Sequence, residues 1–222
     1  TITSFFSIAA VIYSLALPNI YQSSAILNPV TAKSGASQAL GGLGGMASLA
    51  GINISPQSGD SNSVQAIKKL STLSFFENNI LPNIFLPNLL AVQSWDPASN
   101  NIVYKKDIYD EAKQSWVRDV EYPQAQTPSA QEAFAVFRYE HITVSTDKDT
   151  GFVILSVKHQ SPFIAKAWTD LIVKQLNNFF RTKDKSEAQA AVTFLSTQIA
   201  QTNFAEIKQV IAQLLQQKTQ QL

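Results

Sequence analysis

The sequence contains no cysteine, which excludes disulfides, thiolate nucleophiles and cysteine-held metal sites. That absence suits an exported domain that folds without disulfides, and it suits many cytosolic proteins equally. Histidine occurs only at positions 141 and 159, too few for a histidine-rich metal cage. Charged residues make up 15% of the chain, the formal net charge is +1, and no Lys/Arg cluster is longer than a pair. There is therefore no electrostatic case for a nucleic-acid partner. Proline and glycine, the strongest helix breakers, are both missing from residue 163 to residue 222.

That last absence defines the stretch around which the chain is organised. Ser161 is a good helix N-cap and Pro162 suits the first helical position. Apolar residues then recur at Ile164, Trp168, Leu171, Ile172 and Phe179, again at Ala188, Val192, Leu195 and Ile199, and again at Ile207, Ile211 and Leu214. Steps of three and four place them on one helical stripe. Unbroken, residues 161–222 would form a rod of roughly 90 Å at ~1.5 Å per residue. Such a rod needs partners along its stripe, from a returning segment or from neighbouring copies, and Leu195, Ile199, Ile207 and Ile211 are the packing candidates. With no returning segment in view, the sequence is expected to be cut from a larger protein.

Residues 1–17 carry no charge and are mostly apolar, with Phe5, Phe6, Ile8, Val11, Ile12 and Leu15 as the membrane-facing candidates. As a helix they would span about 25 Å, a little short of the ~30 Å hydrocarbon core. Three readings fit: the end of a transmembrane helix, the core of a signal peptide with Ser14-Leu15-Ala16 as a loose cleavage site, or a buried core helix. Tyr13 and Tyr21 suit an interfacial aromatic belt and favour the first.

Residues 18–160 read as an α/β domain. After Pro18-Asn19 a strand is expected from Tyr21 to Leu27, ended by Asn28-Pro29. A Gly-rich mobile loop is expected over 35–60. Its Gly42-Leu43-Gly44-Gly45-Met46-Ala47 loosely matches a dinucleotide fingerprint, but no strand precedes it and no Lys-Ser/Thr follows. Helices are expected over 61–81, ended by Pro82 and Pro87, over 107–117 with Ile108, Ala112 and Trp116 on one side, and from Thr127-Pro128 through Phe134 and Phe137. Asp96-Pro97 and Asn100-Asn101 mark turns. In 140–146, Ile142 and Val144 alternate with polar residues, and 152–159 returns with Val153, Leu155 and Val157 on one face. The Asp147-Lys148-Asp149-Thr150-Gly151 turn between them makes a β-hairpin that runs straight into the rod.

No catalytic or cofactor constellation emerges. His141 and His159, both expected on strands, lack a motif that supplies a nucleophile or a metal partner. Asp147 and Asp149 sit in a turn, where Asp is favoured for local hydrogen bonds. The charged run from Arg181 to Glu187 reads as a solvated face with local salt bridges, with contacts to a neighbouring copy or a polyanionic glycan as the alternative.

The order of features nonetheless resembles one family. It runs from an apolar exit followed by Pro18 and Tyr21-Gln22-Ser23-Ser24-Ala25, through the Gly/Leu-rich loop and Ala66-Ile67-Lys68, to Asp147-Lys148-Asp149-Thr150-Gly151-Phe152-Val153, Ser161-Pro162, Ala167-Trp168 and the rod. This resembles the Wzz-type polysaccharide co-polymerases, the O-antigen chain-length determinants, over nearly the whole chain. The resemblance implies an α+β bacterial inner-membrane protein. A membrane-proximal α/β base would carry a very long protruding helix, preceded by the end of a first transmembrane helix, with the bulk of the chain periplasmic. It implies a homo-oligomeric ring without catalytic residues, cofactor or metal, working with a Wzy-type polymerase, with the growing glycan as a further candidate contact. Export co-polymerases, some with a fused kinase beyond the end of this sequence, are the alternative.

Overall fold

The computed structural model describes residues 6, 7, 10, 13, 18–27, 62–147, 149–201 and 205–220. Its strands are β1 (Tyr21–Leu27), β2 (Val92–Asp96), β3 (Asn101–Tyr104), β4 (Tyr109–Asp110), β5 (Ser115–Trp116), β6 (Ile142–Thr146) and β7 (Val153–His159). Its helices are α1 (Asn62–Leu70), α2 (Leu86–Leu90), α3 (Ala130–Val136), α4 (Pro162–Gln201) and α5 (Ala205–Thr219). The fold is thus a mixture of helix and strand, with small sheets and one 40-residue helix. The chain divides into two compact units, one of Thr1–Leu27 with Ile67–Val173, the other of Asn28–Ala66 with Lys174–Leu222.

The first unit is built on a three-stranded antiparallel sheet in the order β1-β7-β6. The central strand pairs Tyr21 with His159 and Leu27 with Val153 on one side, and Ile142 with Val157 and Thr146 with Val153 on the other. The expected hairpin and the expected first strand are both present. Alternation sends Val153, Leu155, Val157 and His159 inward, and all four are almost fully buried. Ala165, Trp168 and Ile172 on the first turns of α4 are buried too, and Trp168 packs edge-on against His159 with centroids 5.1 Å apart. Phe75, Phe76, Ile80 and Phe137 extend this core, with the Phe76 and Phe137 rings 4.9 Å apart.

Two helical expectations fail for local reasons. The helix expected over 61–81 stops at Leu70. The Thr72 hydroxyl donates to the Lys69 carbonyl at 2.7 Å and accepts from the Phe75 N–H, capping a fresh turn at Leu73–Phe75. Beyond it, the Asn78, Asn79 and Asn83 amides donate to the carbonyls of Ser74, Phe75 and Asn79 at 2.7–3.0 Å. These side chains compete with the backbone ladder, and the chain widens to a π-turn over Phe76–Ile80 and then tightens to a 3₁₀ turn at Leu81–Asn83. The helix expected over 107–117 is a small hairpin instead. The Asp110 carboxylate takes the N–H groups of Ala112 and Lys113, and Gln114 turns the chain at φ 50°. Tyr109 pairs with Trp116 across the strands, their rings 5.3 Å apart. The period-four stripe there was coincidental.

The helix expected near Thr127 starts at Ala130, with Ser129 as its cap. The Ser129 hydroxyl accepts the Glu132 N–H at 3.2 Å and donates to the Glu132 carboxylate at 3.3 Å, a reciprocal capping arrangement. It runs on into a π-turn over Phe137–His141, so His141 ends a helix and does not lie on a strand.

The second unit contributes the rest of α4 and all of α5. At ~1.5 Å per residue α4 is about 60 Å long. Helix resumes at Ala205, and residues 202–204 lie outside the described residues, so the uninterrupted rod is described only to Gln201. Within this unit Ala188, Leu195, Ile211 and Leu214 of the expected stripe are buried, Phe179, Val192 and Ile199 are half-buried, and Leu176, which the stripe did not include, is buried too. Among the described residues no helix is long and apolar enough to cross a membrane. Most of the run over 1–17 lies outside the described residues, and so does the Gly-rich loop over 35–60.

Candidate functional site

The sharpest chemistry in the described residues sits where β7 meets α4. The His159 side chain is 1% exposed, and both ring nitrogens are engaged. The Ser161 N–H donates to Nδ1 at 2.8 Å, and Nε2 donates to the Asn88 carbonyl at 2.9 Å, since a carbonyl can only accept. This fixes one neutral tautomer. Burial, with a smaller push from the nearby His141, drives the His159 pKa down to about 4, against the Asn88 carbonyl, which favours the protonated ring. A base needs a free lone pair, and His159 has none.

His141 stacks on it at 5.7 Å and donates from Nδ1 to the Lys158 carbonyl at 2.8 Å. Trp168 closes the group, edge-on to His141 at 5.4 Å. Sequence reasoning singled out both histidines but not their junction with Asn88, Ser161 and Trp168. Only the proximity of His159 to the Ser161 cap hinted at it. The junction is a joint: it ties the α2 carbonyl of Asn88, the end of β7 and the start of α4 together. Ser161 completes it by accepting the Ala165 N–H at 3.0 Å as the first bond of α4.

The remaining sequence-selected residues are placed as follows. The Asp147 carboxylate accepts the N–H groups of Asp149 and Thr150, which hold it below the usual carboxylate range, so the turn expectation stands. In the charged run, Lys183 and Glu187 pair at 3.0 Å one helical turn apart, on a solvated face. Of the packing candidates, Leu195 and Ile211 are buried, Ile199 is half-buried, and the Ile207 side chain lies outside the described residues. Of the membrane candidates, Phe6 is helical and exposed, whereas Phe5, Ile8, Val11, Ile12 and Leu15 lie outside the described residues.

An aromatic cleft went unanticipated. Tyr104, Tyr109, Trp116 and Phe85 stack edge-to-face with centroids 5.3–6.4 Å apart. A cavity of about 520 Å³ opens beside Asn88, Asn101, Tyr104 and Glu111, and a second of about 650 Å³ shares Tyr104 and Glu111. Burial, with Glu111 and Tyr109 nearby, raises the Tyr104 pKa, and its hydroxyl donates to Asn88 Oδ1 at 2.6 Å. The density of aromatic residues between 85 and 116 was the signal available for it. Among the described residues no group of His, Cys, Asp or Glu could hold a metal ion. No family model matches the chain, and no curated protein matches it.

Proposed function

We propose that the protein is a membrane-anchored, homo-oligomeric scaffold of the polysaccharide co-polymerase type, which sets the length of a surface polysaccharide made by a Wzy-type polymerase in the bacterial inner membrane. The observation that carries this reading is the 40-residue helix α4, seeded directly by the end of a β-hairpin and bearing a stripe that is buried at Ala188 and Leu195. A helix of about 60 Å is far longer than its own first unit needs for a core, and long helices depend on packing for their stability. The apolar run over 1–17 supports an anchor, because it leads within a few residues into β1 of the sheet that holds the start of α4. The element order of the resemblance, from apolar exit to strand to hairpin to long helix, supports the same reading.

The deciding experiment removes the full-length protein from its cell and resolves the surface polysaccharide on a gel. The reading expects the preferred length class to vanish and to return on complementation. An unchanged ladder in cells shown to lack the protein rejects it. Loss of a secreted polymer with an unchanged ladder would move the protein to the export co-polymerases.

A further inference from the structure

Ile20, at the foot of β1, is 56% exposed, and Phe163, in the first turn of α4, is 61% exposed. Between them the Tyr21 ring meets Trp95 edge-on at 5.5 Å, and Trp95 meets Phe163 at 6.2 Å. Three elements distant in sequence thus bring an aliphatic and three aromatic side chains to one end of the sheet. Large apolar side chains gathered at a surface call for an occupant.

The neighbouring sequence and the distribution of charge indicate which one. Leu17, the last residue of the apolar run over 1–17, is three residues from Ile20, a reach of at most ~11 Å for an extended chain. Lys158, opposite Gln22 on β7 and on the other face of the sheet from Tyr21 and its partner His159, adds an exposed cation at the same end. The acidic turn with Asp147 and Asp149 lies at the other end, beyond the Leu27–Val153 pair. The seven residues of β1 separate the two ends by about 20 Å. Asp96 adjoins Trp95 but points to the opposite face of its strand, and its carboxylate is occupied by the Ala98 N–H and the Ser99 hydroxyl.

We propose that Ile20, Tyr21, Trp95 and Phe163 form a seat for the interfacial layer of the lipid bilayer, which holds this end of the sheet against the membrane. Tyr and Trp favour that layer because they pair an apolar body with a polar tip, and a cation at the same end of the sheet suits anionic headgroups. The inference rests on residues 1–17 entering the membrane. It goes further by assigning Trp95 and Phe163, remote in sequence from that run, to the bilayer surface.

The test uses the full-length protein in phosphatidylcholine/phosphatidylglycerol vesicles containing lipid brominated near the headgroup end of the acyl chain. Bromine should quench part of the tryptophan emission, and Trp95→Phe should remove most of the quenchable part. Spin labels on Phe163→Cys and, as a control, on Thr150→Cys report depth independently. The first should be accessible to oxygen and shielded from a water-soluble nickel complex, and the second open to nickel. Carbonate washing reports the anchor separately. A protein that resists the wash but shows no Trp95 quenching and a nickel-accessible label at 163 overturns the seat and leaves the anchor standing. A label at 163 shielded from both reagents, without bromine quenching, would overturn it in favour of a protein partner. Release by carbonate would overturn both.

Discussion

Lowering the pH from 7 to about 4.5 should destabilise the first unit through a single side chain. His159 is held neutral by burial, with its pKa depressed from 6.5 to about 4. A histidine depressed in the folded state contributes nothing adverse above its unfolded value. As pH falls below 6.5 the unfolded chain takes up a proton that the folded chain refuses, and stability drops until the folded value is reached. A gap from 6.5 to about 4 is worth about 3 kcal/mol in total. The carboxylates of Asp96, Asp110, Glu132 and Asp147 are also held low, but their losses begin nearer their ordinary values of 3.8–4.5. The interval between pH 6.5 and 4.5 therefore belongs mainly to His159. Urea unfolding followed by tryptophan fluorescence reads the effect, since Trp168 lies against the ring. His159→Gln keeps a donor and an acceptor without a titrating proton, and it should flatten the slope. His159→Leu should also flatten it, while costing about 2–5 kcal/mol at pH 7.5, because the Ser161 N–H and the Asn88 carbonyl lose their partners. Equal pH slopes in the native protein and in His159→Gln would refute the reasoning.

Further outcomes follow from the packing and the turns. Phe137→Ala should cost about 3–5 kcal/mol, seen as a lower urea midpoint, because the ring is 2% exposed and packs on Phe76 and Trp168. Ser129→Ala should cost about 1 kcal/mol through the loss of the α3 cap, measured the same way. Gly151→Ala should destabilise by about 1 kcal/mol for backbone reasons alone, since its φ is 71° and an added methyl group meets nothing within 4 Å. Gln114→Gly at φ 50° should be neutral or slightly stabilising in the same assay, relieving strain of about 1 kcal/mol.

What the sequence made legible was what period and punctuation control. The β6–β7 hairpin alternates cleanly around a Gly turn, β1 is bounded by Pro18 and Asn28-Pro29, and α4 begins at Ser161-Pro162 as its cap residues require. What was not legible depended on side chains acting on nearby backbone. Three asparagines converted the end of an expected helix into a π-turn, and Asp110 with Gln114 folded a helical-looking stripe into a hairpin. The His159 junction needed tertiary partners, because Asn88 is 71 residues away. The Tyr21–Trp95–Phe163 group likewise unites residues that no local pattern connects.

Under the proposed function, the long helix positions the assembly that sets polysaccharide length. The most direct measurement is the surface polysaccharide ladder of cells making the Leu195→Asp, Ile199→Asp double variant, at membrane abundance matched to the native protein. Leu195 is buried and Ile199 half-buried, and full burial of each such side chain is worth about 1.5–3 kcal/mol, well above the ~0–1 kcal/mol of a surface pair such as Lys183–Glu187. The expected result is a shortened or broadened ladder, with the β1-β7-β6 sheet and its core still folded. A native ladder at native abundance would contradict it.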